Sequence, residues 1–503
     1  MLAALLVCRA GFAEDNGNDD DDKKDKKSAA HEERLVTTEH TAAIAGKEVE
    51  YQATAGMLAL KSEDLKTQAE MFFIAYTVEP EEGRQRPITF CFNGGPGSSS
   101  VWLHLGMLGP KRIALPDDAQ PLPPPYKLQN NPYSMLDVTD LVFIDPVSTG
   151  YSRAAEDVKK SEFHGYEEDI RSVAQFIYDY TTRFERWGAP KFVCGESYGG
   201  LRAAGLSGYL RDRYRMELNG ILVISGVIDF QTLRFSEGND LPFVLFLPSY
   251  AATAWYHKAL SPAIQDLSLK QLVARAKRFA EQEYAPALFK GTSIEEDEFD
   301  RVARQYARLT GLSADYVKEA RLRVSMGRFG KELLRKRQRT VGRFDSRYTG
   351  IDRDAAGETY EFDASGAAIF GPFSATLNDY MRRDLKFQDE HVYEILTGKV
   401  HPWSYRRFEG EYVDASETLR QSMTANPYLK LFVACGYYDL ATPLFGMDYT
   451  LNHLELPKER RKNVTVKYYE AGHMMYIYEP ALKKLRSDLA AFYKTAVSQP
   501  QID

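Results

Sequence analysis

Seven short apolar runs constrain this chain more than any other feature. They are MFFIAYTV at 71–78, PITFCFNG at 87–94, DLVFIDP at 140–146, KFVCGES at 191–197 and ILVISGVID at 221–229, then LKLFVACG at 429–436 and NVTVKYYEAG at 463–472. Runs of this length without polar alternation are strands covered on both faces, the habit of a mostly parallel sheet. Between two of them, Ile170, Val173, Phe176, Ile177, Tyr180, Phe184 and Trp187 recur at helical spacing within 166–187. The resulting strand, helix, strand rhythm predicts an α/β fold.

The interval 231–428 breaks that rhythm. It holds FVLFLPSYAATAWYH at 243–257, charged amphipathic stretches around 267–338, and turns rich in glycine, aspartate and aromatic residues around 342–373. The expectation is a large, mainly helical cap inserted over the C-terminal edge of the sheet, dividing the core into 36–230 and 429–503. Active sites of open α/β sheets lie at that edge, so such an insertion shapes access to them. The alternative is a second domain away from the site.

The run ending at 197 continues as Lys191-Phe-Val-Cys-Gly-Glu-Ser-Tyr-Gly-Gly200, with Gly195 and Gly199 bracketing Ser197. A G-x-S-x-G pattern straight after a strand suits a tight strand-to-helix turn that holds a serine hydroxyl clear of the sheet. Leu201, Ala203, Ala204, Leu206 and Leu210 then supply a buried helix face. An earlier strand ends in Cys91-Phe-Asn-Gly-Gly-Pro-Gly-Ser-Ser-Ser100. Acyl transfer builds negative charge on a carbonyl oxygen, and aimed backbone N–H groups stabilise it. The natural pair is Gly95 with Tyr198, with Gly94 sterically possible. A phosphate loop is disfavoured because no Gly-Lys-Ser/Thr follows.

A serine needs a base, and the base an orienting acid. Asp439 stands after one late strand in Cys435-Gly-Tyr-Tyr-Asp-Leu-Ala-Thr-Pro443, and His473 after the last in Glu470-Ala-Gly-His-Met-Met475. The order Ser197, Asp439, His473 is that of α/β-hydrolases. Asp145, after its own strand, is the substitute acid. Of the other histidines, His104, His164, His257, His401 and His453 read as surface or packing residues.

Composition narrows the rest. With 44% hydrophobic and 27% charged residues among 503, wholesale disorder and coiled-coil architecture are excluded. A formal net charge of −7 argues against a nucleic-acid surface. Residues 1–13 resemble the apolar end of a secretory signal, without a basic segment before it and with a cut expected after Ala13. Residues 14–35 open with acidic and lysine blocks and read as a solvated linker. No run of about 18 apolar residues is available to span a membrane. Cys91, Cys194 and Cys435 fall inside apolar runs and read as buried thiols.

At Asn93-Gly-Gly-Pro-Gly97, Asp145-Pro-Val-Ser-Thr-Gly-Tyr-Ser152, Gly195-Glu-Ser-Tyr-Gly-Gly200, the Asp439 loop and Gly472-His473, the chain resembles the serine carboxypeptidase family. The likeness runs over about residues 70–490. It implies an α/β-hydrolase fold, Ser197 as nucleophile with Asp439 and His473, and Gly95 with Tyr198 as the oxyanion hole. It also implies a peptide substrate whose free C-terminal carboxylate meets Asn93 and Glu196, and no metal or cofactor. Met107, within Leu105-Gly-Met-Leu-Gly-Pro110, stands where many members carry a glutamate that supports that recognition. The eukaryotic members' disulfide pattern is missing, which makes the chain most like bacterial members and fits a periplasmic or secreted enzyme. An esterase or acyltransferase of the same fold shares the triad, and a catalytically silent peptide-binding protein is the alternative of another class.

Overall fold

The structure, a computed structural model, describes residues 34–81 and 85–498. The expected signal segment, and the linker up to residue 33, lie outside the described residues; Leu35, its last position, already opens a strand. In chain order the strands of the main sheet are β1 (Leu35–Ile44), β2 (Lys47–Lys61), β3 (Thr67–Thr77), β4 (Ile88–Phe92), β5 (Asp140–Ile144), β6 (Lys191–Glu196), β7 (Gly220–Ile224), β8 (Lys430–Gly436) and β9 (Val464–Tyr469). They lie side by side as β1-β2-β3-β5-β4-β6-β7-β8-β9, and the two-residue strand Arg153–Ala154 adds to β3. β1, β2, β3 and β5 pair antiparallel, whereas β5, β4, β6, β7, β8 and β9 run parallel.

The seven apolar runs form strands because alternate side chains enter different cores. Phe90, Phe92, Val142, Ile144, Val193 and Val223 pack with the helices α1 (Tyr166–Arg183) and α2 (Tyr198–Tyr214). Their neighbours Cys91, Leu141, Phe143, Cys194, Leu222 and Ile224 join a second cluster with the helices Ala364–Arg383 and Glu479–Val497. Burial on both faces is what removes the polar alternation from these strands. β1 and β2 were not among the expected strands; in β1 and the first half of β2, exposed Thr, Glu and Lys alternate with less exposed residues.

Between β7 and β8 the chain is mainly helical, with Leu241–Tyr256, Leu269–Phe279, Glu296–Thr310, Ala364–Arg383 and Ser416–Ala425 the longer helices. The turns expected over 342–373 end early: the Asp363 carboxylate accepts from the Ser365 N–H and caps a helix that starts at Ala364. These helices belong to the same compact unit as the sheet, Arg34 onward. Because the strands β5, β4, β6, β8 and β9 are parallel, the loops holding Asp145, Asn93, Ser197, Asp439 and His473 all leave one edge of the sheet.

Candidate active site

β6 ends at Glu196 and α2 begins at Tyr198, so Ser197 alone makes the turn. It does so at φ 61° and ψ −125°, a conformation that costs a non-glycine residue about 1–3 kcal/mol and persists only where its surroundings enforce it. Here the N–H groups of Gly200 and Val227 both donate to its carbonyl, and its own N–H donates to the Ile224 carbonyl. Gly195 is needed because a Cβ there would stand 2.0 Å from the Gly199 carbonyl oxygen. The serine side chain is left partly exposed at the edge of the sheet.

The loop after β4 touches this turn. A Cβ on Gly94 would lie 2.4 Å from the Tyr198 nitrogen, so only glycine allows the approach. Among the described residues the N–H groups of Gly95 and Tyr198 have no hydrogen-bond acceptor, leaving both free to donate to an oxyanion. Arg202 holds the loop from below: its Nη1 donates to the Asn93 carbonyl at 2.5 Å, and its Nε to Asp169 Oδ2 at 2.7 Å. Both partners of that ion pair are buried.

His473 Nδ1 lies 2.8 Å from Asp439 Oδ2. Asp439 is fully buried and also accepts from the N–H groups of Ala441 (2.7 Å) and Thr442 (2.9 Å) and from the Thr442 hydroxyl (2.8 Å). With two backbone N–H groups donating to its Oδ1, Asp439 presents Oδ2 as the acceptor for a proton on His473 Nδ1. Burial alone would lower the imidazole, but the Asp439 carboxylate, aided by Glu196, raises it above its ordinary 6.5. Neither Ser197 Oγ nor His473 Nε2 is hydrogen-bonded among the described residues. The structure therefore joins Asp439 to His473 and shows no hydrogen bond between His473 and Ser197 among the described residues. Asp145 is buried elsewhere on the edge, where its Oδ1 accepts from the Ser100 N–H.

Asn93 and Glu196 are in contact: Asn93 Nδ2 donates to Glu196 Oε1 at 3.0 Å, and Asn93 Oδ1 accepts from the Leu103 N–H. Burial is the largest influence on Glu196 and carries it to about 7, against the lowering pull of His473 and of a hydrogen bond from Tyr476. Met107 is buried in the turn Leu103–Leu108. The sequence reading missed Tyr476, although it follows His473 by three residues, and missed Arg202 on the nucleophile helix.

Two segments between β7 and β8 brace the site. The Phe344 carbonyl accepts from the His473 N–H, Asp345 Oδ2 from the Gly472 N–H at 3.2 Å, and the Arg343 carbonyl from the Leu440 N–H. The Ser346 N–H in turn donates to the Tyr438 carbonyl. On the other side, the Thr397 N–H donates to the Gly97 carbonyl and the Ser99 N–H to the Ile395 carbonyl. Cys91, Cys194 and Cys435 are free and buried, as expected. Among the described residues no group of three or more His, Cys, Asp or Glu is placed to hold a metal ion.

A parallel sheet of this strand order, with a strained serine turn after one strand and an Asp–His pair after two later ones, is the α/β-hydrolase fold. The solved prohormone-processing carboxypeptidase Kex1 of Saccharomyces cerevisiae has the same fold, with a TM-score of 0.54 over 88% of this chain and 91% of that one at 18% identity. A family model for serine carboxypeptidases matches residues 45–310. The chain belongs to that family. It is 29% identical over 214 residues to the pheromone-processing carboxypeptidase KEX1 of S. cerevisiae, covering 39% of this chain and 28% of the yeast protein. It is 30% identical over 180 residues to serine carboxypeptidase-like 20 of Arabidopsis thaliana, covering 33% and 34%. The match thus spans about a third or less of these relatives' own length. Both are eukaryotic and lend no support to a leaning toward bacterial members.

Proposed function

We propose that the protein is a serine carboxypeptidase that removes residues from peptide C-termini through an acyl-enzyme. Its main support is the Asp439–His473 hydrogen bond at the sheet edge that carries strained Ser197, in a chain of this family. In the reaction His473 Nε2 takes the Ser197 proton as Oγ attacks the scissile carbonyl. Asp439 holds the other ring N–H and stabilises the imidazolium. The N–H groups of Gly95 and Tyr198 receive the oxyanion. Collapse breaks the C–N bond, His473 hands its proton to the departing amine, and water repeats the sequence to free the acid. Asn93 and a protonated Glu196 donate to the substrate's terminal carboxylate; once Glu196 ionises the two carboxylates repel.

Residues 36–230 and 429–503 make the catalytic core in this proposal and 231–428 the cap over it, in keeping with the bracing hydrogen bonds of Phe344 and Thr397. Among the described residues no helix is long and apolar enough to cross a membrane. Export to a periplasm or beyond the cell goes with the proposal, supported by the apolar opening stretch; N-terminal sequencing of the mature protein tests it, a start after Ala13 being expected.

The activity is tested with a mixed peptide library offered as free acids, C-terminal amides and small esters, the products read by mass spectrometry over about pH 4 to 8. Stepwise loss of C-terminal residues from free acids is expected. Cleavage confined to esters makes the protein an esterase or acyltransferase instead.

A further inference from the structure

Glu196 has a second hydrogen-bond donor besides Asn93. Tyr476, fully buried, donates its hydroxyl to Glu196 Oε2 at 2.6 Å, while Asn93 donates to Oε1. The Tyr476 ring packs against Gly106, where a Cβ would stand 2.4 Å from it. Met107, the next residue of that buried turn, is a thioether that can donate no hydrogen bond. The other ionisable groups facing this trio are His473 and Asp439, which act on Glu196, and Cys194, which acts on Tyr476.

We propose that Tyr476 is a positioning residue for recognition of the substrate's terminal carboxylate: its hydroxyl fixes Glu196 Oε2 and supplies the permanent donor that Met107 cannot. This rests on Asn93 and Glu196 being the carboxylate site. A second carboxyl in this place would add a second exchangeable proton, coupled to that of Glu196. A phenol keeps it, because burial, with the Glu196 charge adding, pushes Tyr476 well above its ordinary 10. Of the two hydrogen-bonded side chains Tyr476 and Glu196, only Glu196 therefore exchanges its proton across working pH. Tyr476 favours the ionised form of that group and holds its titration down near 7.

The test compares kcat and KM across pH for wild type, Tyr476→Phe, Glu196→Gln and the double variant. The substrates are an N-acylated dipeptide with a free C-terminus and its C-terminal amide. Wild type is expected to lose kcat/KM on the free acid as pH rises through about 7, with no such limb on the amide. In Tyr476→Phe the limb moves upward by about one pH unit, and KM for the free acid rises about tenfold at low pH while kcat stays within about twofold. In Glu196→Gln the limb disappears, and adding Tyr476→Phe does not restore it. Wild-type circular dichroism and a single cooperative urea transition certify that each variant is folded. An unmoved limb in Tyr476→Phe, or equal loss on acid and amide, overturns the role of Tyr476. If wild type treats acid and amide alike, the carboxylate site itself is wrong and the role of Tyr476 falls with it.

Discussion

Replacing Asp345 with asparagine tests whether a segment outside the sheet holds the catalytic loops. Asp345 Oδ2 accepts from the Gly472 N–H, next to His473, and from Arg347 Nη2 at 2.6 Å. Both side chains of that ion pair are buried, at 2% and 5% exposed. Burial would lower the guanidinium, yet the Asp345 charge more than offsets it and leaves Arg347 raised. Asparagine keeps the shape and one acceptor but strands the cation. Removing one partner of a buried pair costs about 3–5 kcal/mol, a large share of the roughly 5–15 kcal/mol that holds a typical protein folded. The urea midpoint of Asp345→Asn should fall by that loss divided by the slope, with the slope itself unchanged. A second change, Arg347→Met, should recover most of the loss, since an apolar side chain needs no counter-ion. Measured where circular dichroism shows the variant folded, kcat should still drop by about a factor of ten or more, because small displacements of a base cost that much. Wild-type midpoint together with wild-type kcat in Asp345→Asn would refute the bracing role.

Asp439→Asn should lower kcat by about 10⁴, as expected when the base is held in the wrong tautomer. Because only neutral His473 accepts a proton and its titration lies above 6.5, turnover of the amidated substrate should climb with pH through that region and level off. Asp145 is carried by burial from its ordinary 3.8 to about 7. A carboxyl raised in the folded state stabilises below its unfolded value and loses that stability as pH rises toward its folded one, here on the order of 4 kcal/mol between about pH 4 and 7. Asp145→Asn, which retains the acceptor for the Ser100 N–H, should flatten the decline in urea midpoint over that window. Burial pushes the thiols of Cys91 and Cys435 well above their ordinary range, so iodoacetamide should modify neither until the protein is unfolded.

What the sequence revealed follows from how local each signal is. β4 through β8 announce themselves because both faces are buried, so five to seven residues carry the pattern by themselves. The Ser197 turn is equally local: Gly195, Gly199 and the strand before them make it. Asp439 and His473 are legible by their position after strands, and their hydrogen bond follows from sheet order. Asp345 is not legible, since nothing in the turn around it marks a residue that meets Gly472 more than a hundred positions later. Tyr476 is near His473 in sequence, but its partner Glu196 lies 280 residues away. β1 and the first half of β2 escaped because one face there is exposed and their residues alternate, whereas the second half of β2 is mostly buried and was missed all the same.

The acyl-enzyme chemistry is tested most directly by treating the folded protein with a serine-reactive phosphonate and locating the adduct by mass spectrometry. One adduct per chain is expected on the peptide containing Ser197. It should be absent from Ser197→Ala and greatly slowed in His473→Ala. A folded wild-type protein that takes up no label, or takes it at another residue, contradicts the account.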